Sequence, residues 1–182
     1  KHVQALVADG LLELDAGPVY GVVTEPIGPA DTSGDLLTRL AYSGSALLVE
    51  TLDAVEAGAE PVAQPDEGVT LAPKISVDDA QVDWSRPAVE IDRLVRGCSP
   101  APGAWTTFRG ERFKIASATP VEGRGEPGEL VVGRREVTVG TGTGTGAGLL
   151  LLGQVQAQGK KPMGAPDWAR GLGGTTALRL GD

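Results

Sequence analysis

The chain has 182 residues, and its hydrophobic content of 41% is sufficient for at least one buried core. Its 27 glycines and 13 prolines indicate many turns and short elements, and its apolar runs are too short for a membrane-spanning helix, so no membrane partner is expected. The single cysteine, Cys98, and the single histidine, His2, exclude an internal disulfide and a structural zinc site, and no metal is expected.

Charge is distributed unevenly along the chain. Residues 1–82 carry three Lys or Arg against 14 Asp or Glu, whereas residues 83–182 carry 13 against 10, so the net charge of −8 hides a basic second half. Such asymmetry indicates separate domains or a polyanionic partner. The N-terminus has no basic segment followed by an apolar one, which predicts a cytoplasmic protein, and its start without Met predicts part of a longer chain.

The first 58 residues predict one short strand and two helices. Residues 19–24 are rich in β-branched and aromatic side chains and lie between two prolines, as in a buried strand. Capping oxygens at residues 31–33 predict the start of a helix, and the Ser-Gly-Ser at 43–45 predicts a break before a second helix that ends at Gly58. The apolar faces of both helices need a core to pack against.

Residues 59–82 lose this periodicity and contain prolines among charged residues, which predicts a linker between residues 1–58 and 83–182. A helix then begins at Ser85 and ends at Gly97. The short strands predicted after it are 104–108, 112–119, 129–132, 136–139 and 149–155. One helix before five strands with tight glycine turns predicts a small antiparallel barrel and an α+β chain.

Few residues are candidates for catalysis. Asp15 lies just before the predicted strand, and it is either a turn carboxylate or a partly buried group with a tuned pKa. Cys98 has no base partner except His2, so it is predicted to be a small residue packed at a helix end. The Thr-Gly run at 141–148 has no lysine nearby, which predicts a flexible hairpin connection and not a phosphate loop.

Seven basic side chains of the second half come from a helix, a hairpin and a late loop, which a barrel would bring to one face. They are Arg93, Arg96, Arg109, Arg112, Lys114, Lys160 and Lys161. The two adjacent lysines, between a glycine and a proline, suit contact with phosphate groups. The aromatic residues interleaved with the others, Trp105, Phe108 and Phe113, are predicted to lie in the core and not to stack on bases.

Ordered motifs between residues 14 and 172 resemble those of the methionyl-tRNA formyltransferase family. They include residues 14–19 (LDAGPV), 31–34 (DTSG), 82–85 (VDWS), 100–105 (PAPGAW) and 156–163 (QAQGKKPM). Each motif is weak alone, and their occurrence in this order is specific.

The resemblance implies transfer of a formyl group from 10-formyltetrahydrofolate to the amino group of methionyl initiator tRNA, for translation initiation, by a monomeric protein. It implies the C-terminal remnant of a Rossmann-like formyltransferase domain at 1–58, a linker at 59–82, and an OB-like tRNA-binding barrel at 83–182 that carries the seven basic residues. Asp15 falls on the family's catalytic Asp, which orients and stabilises a His while the attacking amine loses a proton.

This chain departs from the family at its start. The family's Asn and His motifs and most of its folate pocket precede the position of Asp15, so the chain alone is expected to be inactive. Alternatives are a formyltransferase acting on sugar nucleotides, a formyltetrahydrofolate hydrolase, a stand-alone RNA-binding barrel, and a fragment with no function of its own. The basic second half favours a tRNA enzyme.

Overall fold

The computed structural model describes residues 16–65, 67–70, 72–173 and 178–182, and the predicted catalytic Asp15 lies outside them. The helices are α1 (Ser33–Glu56), α2 (Ala88–Gly97) and α3 (Ala165–Arg170). The strands are β1 (Ala104–Phe108), β2 (Glu111–Ile115), β3 (Ala118–Val121), β4 (Leu130–Val132), β5 (Val137–Thr141), β6 (Gly148–Leu152), β7 (Gln154–Ala157) and β8 (Met163–Gly164). Among these residues, none of the three helices combines the length and the hydrophobicity that spanning a membrane requires.

The described residues form two compact units. The first contains residues up to Pro29 and Asp35–Pro73, and the second contains Ala30–Gly34 and Lys74–Asp182. The division between residues 73 and 74 lies within the segment that the sequence predicts as a linker.

The first unit is built on α1, a continuous helix of 24 residues. The break predicted at residues 43–45 is therefore wrong. The Ser43 hydroxyl donates to the Arg39 carbonyl at 3.1 Å and the Ser45 hydroxyl to the Tyr42 carbonyl at 2.8 Å, so both are satisfied within the helix. A glycine between them costs only about 1 kcal/mol relative to alanine, which the helix tolerates.

The segment before α1 is extended. Val19 and Val62 exchange two backbone hydrogen bonds of 2.8 and 2.9 Å, which form an isolated bridge. The buried strand predicted at residues 19–24 is therefore wrong. Arg39 of α1 holds the segment by donating to the Pro26 carbonyl at 2.9 Å, with its Nε 3.8 Å from Glu25. No residue of α1 is buried, and apolar side chains such as Ile27 and Val62 are largely exposed.

The second unit contains two four-stranded antiparallel sheets. The first sheet has the order β1-β2-β7-β8, and the second has the order β3-β6-β5-β4. Every strand predicted in this unit is present, but the second and fifth are each divided in two, into β2 with β3 and β6 with β7. The pairs β2–β7 and β3–β6 therefore follow one another along a single bent ladder that takes part in both sheets.

The bend lies at Ser117 and Gly153. The Gly153 amide donates to the Ser117 carbonyl, and the Gln154 amide donates to the Ser117 hydroxyl, both at 2.9 Å. A Cβ at residue 153 would lie 2.4 Å from the Ser117 Oγ, so a larger residue there would displace the hydroxyl that accepts from the Gln154 amide.

The closed barrel predicted from the sequence is not found, because no ladder joins β1 to β4 among the described strands. The outer edge of β1 pairs instead with the preceding segment, where the Val82 amide donates to the Trp105 carbonyl at 2.8 Å. Residues 178–182 run from the edge of β4 to the edge of β1. The Leu130 amide donates to the Leu178 carbonyl, and the Gly181 amide donates to the Thr107 carbonyl, each at 2.9 Å.

The core of the second unit lies between the sheets and the helices. Phe113 is 1% exposed, and its ring centroid is 4.5 Å from that of Trp168 on α3. Ile91 and Val95 are buried on the inner face of α2, which packs on β3 and β6. The buried Trp84 donates its indole N–H to the Thr106 hydroxyl at 3.0 Å, so this polar pair is satisfied inside the core.

Gly140 and Gly97 form a matched pair for testing this packing. A Cβ at Gly140, in β5, would lie 2.1 Å from the Glu126 carbonyl oxygen, whereas Gly97, in the last turn of α2, has open space around it. We expect Gly140→Ala to lower the free energy of unfolding by roughly 3 kcal/mol or more. Gly97→Ala is expected to raise it by about 0.5–1 kcal/mol.

Urea unfolding followed by tryptophan fluorescence measures both effects, because all three tryptophans lie in the second unit. Equal shifts for the two variants would show that β5 and the 125–129 segment do not approach as closely as described.

Candidate nucleic-acid interface

The first sheet has an apolar inner face and a polar outer face. Alternate residues of β1, β2 and β7 are buried, and the residues between them point away from the core. The register places Trp105 opposite Lys114 and Lys114 opposite Gln156, with Arg112 two residues before Lys114. We call Trp105, Arg112, Lys114 and Gln156, together with the turn 158–162, the outer face.

Trp105 is on this outer face, so the prediction that it lies in the core is wrong. Trp105 is partly exposed and lies outside the cluster of buried residues, whereas Phe113 belongs to that cluster. The Trp105 indole N–H donates to the Val77 carbonyl at 2.7 Å, and the Arg112 guanidinium lies 4.1 Å from the ring centroid. The strand alternation decides the outcome, because Trp105 lies between the buried Ala104 and Thr106.

The turn 158–162, which we call the lysine turn, is attached to the same face. The Lys160 amide donates to the Ala157 carbonyl at 3.0 Å, and Gly159, with φ of +70°, supplies the left-handed residue of this turn. The Gln156 side chain donates to the Lys160 carbonyl at 2.7 Å. Lys160 and Lys161 are both exposed.

Four of the seven predicted basic residues thus come together. Arg112 and Lys114 lie on β2, Lys160 and Lys161 lie on the adjacent turn, and the Arg112 amide donates to the Gln158 side chain at 3.1 Å. Within the described chain, no ion pair neutralises any of these four side chains.

Arg109 lies at the end of the first sheet, in the two-residue β1–β2 hairpin. Its φ of +53° is unusual for a residue with a Cβ, and its guanidinium lies 5.1 Å from the centroid of the Phe108 ring. Its amide donates to the Asp182 carboxylate at 2.9 Å.

The two arginines of α2 have acidic neighbours instead. Arg96 pairs with Asp92 at 3.0 Å and donates to the Asp31 carbonyl at 2.9 Å, so it fastens residues 30–34 to α2. Arg93 lines a cleft of about 470 Å³ together with the carboxylates of Asp79, Asp83 and Glu90. The structure does not bring either arginine onto the outer face.

The sequence-based choice of site residues omitted the glutamines. Gln154, Gln156 and Gln158 alternate along the chain, and this period of two is the signal that places them on one side of a strand. Gln156 and Gln158 are the residues that tie the lysine turn and Arg112 together.

Cys98 is buried at the C-terminal end of α2, as predicted from the sequence. Burial raises the pKa of its thiol, and the nearby Asp79 carboxylate raises it further. The thiol is therefore protonated at neutral pH and is not an activated nucleophile. The described residues also contain no group of three or more side chains suited to holding a metal ion.

The raised pKa of Cys98 predicts a pH dependence of stability. The unfolded thiol loses its proton before the folded one, so its contribution is complete below the ordinary pKa and is lost as the pH rises towards the folded value. We expect the free energy of unfolding to fall more steeply from about pH 8 to about pH 10 in the unchanged chain than in Cys98→Ala. Urea titrations at each pH measure this difference, and parallel pH profiles would contradict it.

Comparison with known proteins relates this architecture to formyl transferases. The family model described as "Formyl transferase, C-terminal domain" matches residues 74–173. The methionyl-tRNA formyltransferase of Streptomyces coelicolor is 58% identical over 180 residues, which are 97% of this chain and 56% of that protein. The one of Nocardioides sp. is 55% identical and covers 93% of this chain and 54% of its own length. The chain thus spans a little over half the length of these curated relatives.

Solved structures of HypX from Aquifex aeolicus share the fold. A complex of that protein with tetrahydrofolic acid has a TM-score of 0.65 and 25% identity, covering 88% of this chain and 28% of HypX. A HypX variant has a TM-score of 0.68 and 24% identity, covering 91% of this chain and 30% of HypX.

Proposed function

The chain belongs to the formyl transferase C-terminal domain family, and we propose that it is part of a methionyl-tRNA formyltransferase. The whole protein would transfer a formyl group from 10-formyltetrahydrofolate to the amino group of methionyl initiator tRNA, for translation initiation. The 58% identity to a methionyl-tRNA formyltransferase favours this activity over that of the sugar-nucleotide enzymes and of the formyltetrahydrofolate hydrolases.

The observation that carries the proposal is the basic outer face. Arg112, Lys114, Lys160 and Lys161 are close together and have no carboxylate partner among the described residues. Cations that are not neutralised within the protein gain the most from phosphate groups, because they displace the counterions of the nucleic acid. The outer face is therefore proposed to bind the tRNA backbone, with Arg109 at its end.

Finer features of the fold and setting are also proposed. Residues 178–182, which bridge the open edges of the two sheets, support an OB-like arrangement of the second unit. The apolar side chains of α1, none of them buried, support a place for the first unit in a larger Rossmann-like domain. The whole protein is proposed to be a monomer that acts in the cytoplasm, where reducing conditions suit the free thiol of Cys98.

The folate donor does not fit the clefts of the second unit. A cleft of about 610 Å³ is lined by Asp78, Asp83 and Asp182 with Arg179, and the 470 Å³ cleft is lined by Asp79, Asp83 and Glu90 with Arg93 and with Arg86, which pairs with Glu90. Folates carry a glutamate tail with two carboxylates, which linings with more carboxylates than arginines would repel. We therefore propose that the donor binds elsewhere in the whole protein, and that Asp15 contributes to catalysis there.

The 182-residue chain alone is expected to transfer no formyl group. The test incubates the purified chain with methionyl-tRNA and 10-formyltetrahydrofolate, with the full-length enzyme of Streptomyces coelicolor as the positive control. Formyl-methionyl-tRNA above the level of a protein-free blank would contradict the expectation and would require a folate site within these residues.

Binding of tRNA tests the outer face directly. Fluorescence anisotropy of a labelled initiator tRNA transcript measures the affinity of the 182-residue chain at about 50 and about 200 mM salt. We expect Lys160→Ala/Lys161→Ala to weaken binding roughly tenfold at the lower salt and to reduce the salt slope by about two.

A matched control removes two charges elsewhere in the same unit. Arg134 and Arg135 are exposed in the turn between β4 and β5 of the second sheet. Arg134→Ala/Arg135→Ala is expected to leave affinity within about twofold, because it changes the net charge but not the outer face. Equal losses in the two double variants would show that binding follows net charge and not this surface.

A further inference from the structure

Arg112 is held in place by an aromatic ring. Its guanidinium lies 4.1 Å from the centroid of the Trp105 ring, within the range of a cation–π interaction. The Trp105 ring is itself fixed, because its N–H donates to the Val77 carbonyl at 2.7 Å. The Arg112 side chain therefore has one preferred orientation before any ligand binds.

No carboxylate pairs with Arg112 in the described part of the chain. By contrast, Arg86 pairs with Glu90 at 2.6 Å, and Arg96 pairs with Asp92 at 3.0 Å. The Arg112 Nε atom is buried and has no hydrogen-bond partner among the residues that the structure describes. Stacking thus orders this guanidinium and leaves its charge uncompensated.

These two properties suit the recognition of a phosphate. A planar guanidinium donates two parallel hydrogen bonds to an oxyanion, and an aromatic ring orders it without competing for its donors as a carboxylate would. The surroundings agree with this role: Lys114 lies opposite Trp105, and the Arg112 amide is bonded to Gln158 beside the lysine turn.

We propose that Trp105 is a positioning residue of the outer face: it holds Arg112 so that the terminal nitrogens of its guanidinium grip one phosphate of the bound RNA. The proposal rests on the tRNA-binding role proposed above and names how one contact of that surface is built. Arg112 covers one face of the Trp105 ring, so that face is not available for stacking on a base.

The test is a double-mutant cycle on the 182-residue chain, read by the anisotropy of the labelled initiator tRNA transcript. We expect Arg112→Ala to weaken binding about fivefold and to lower the salt slope by about 0.9. Trp105→Leu, with Arg112 kept, is expected to weaken binding by at least half of the fold-change expected for Arg112→Ala. Because Trp105 acts through Arg112, the double variant Trp105→Leu/Arg112→Ala is expected to bind no more weakly than Arg112→Ala alone.

Conservative variants separate charge from geometry. Arg112→Lys keeps the charge, so it is expected to restore the salt slope but not the affinity, since lysine neither stacks nor donates two parallel bonds. Trp105→Phe keeps a ring beneath the guanidinium but loses the N–H bond to Val77, so its affinity is expected to lie between those of the unchanged chain and Trp105→Leu. Arg124→Ala, at an exposed arginine between β3 and β4, is the control for loss of one charge.

The outcomes distinguish the two proposals. Additive effects of Trp105→Leu and Arg112→Ala, or equal effects of Arg112→Ala and Arg124→Ala, would overturn the positioning role. If Lys160→Ala/Lys161→Ala weakens binding and the Trp105 and Arg112 variants do not, the tRNA-binding role stands and the positioning role fails. If none of the variants changes binding, both fail. Thermal unfolding confirms that each variant is folded, and Trp105→Met replaces Trp105→Leu should the latter unfold.

Discussion

The approach of Gly153 to Ser117 is the constraint on which the second unit depends. It bends one antiparallel ladder so that β2–β7 belongs to the first sheet and β3–β6 to the second. With this bend in place, the register between the strands decides which side of each sheet every residue occupies. A slip of one residue would turn Phe113 outwards and Arg112 and Lys114 into the core, so the interface and the core are specified by the same hydrogen bonds.

The first sheet uses this alternation to serve two purposes. On its inner side, Phe108, Phe113 and Trp168 form a cluster of rings with centroids 4.5 to 6.1 Å apart. Such a cluster makes the sheet rigid, because its interlocked rings pack tightly. Its rigidity benefits the outer side, where Trp105 and Arg112 project from the same strands. A surface that is ordered before binding loses less conformational entropy when a ligand arrives.

The sequence predicts local elements better than their long-range partners. All five strand regions and the helix that ends at Gly97 follow from alternation, helical spacing and turn residues, although this helix begins at Ala88 and not at Ser85 as predicted. The break at 43–45 is wrong because the hydroxyls of Ser43 and Ser45 find acceptors in the preceding helical turn, which composition does not show. A closed barrel would need β1 to pair with β4, but the edge of β1 pairs with the segment before α2. The sequence does not show which of these two partners β1 takes.

The grouping of the basic residues was predicted only in part, for a similar reason. The adjacent lysines and the basic residues of β2 were identified by their type, and the structure places them together. Arg93 and Arg96 have the same residue type, but their neighbours on α2 and in the preceding segment are carboxylates. Trp105 was misassigned because aromatic residues in strands are most often buried, whereas the burial of Ala104 and Thr106 on either side and the register with Lys114 place it on the outer side of the sheet.

The acidic residues also define where the proposed interface ends. The segment that fixes the Trp105 ring continues directly into Asp78, Asp79 and Asp83, which line the two clefts of the second unit. A polyanion approaching this unit is attracted by Arg112, Lys114 and the lysine turn and repelled along the edge of β1. Repulsion at one edge and attraction at the other fix the orientation of a phosphate backbone more narrowly than attraction alone. The small net positive charge of residues 83–182 is therefore consistent with a directional nucleic-acid surface, because binding depends on where charges lie and not on their sum.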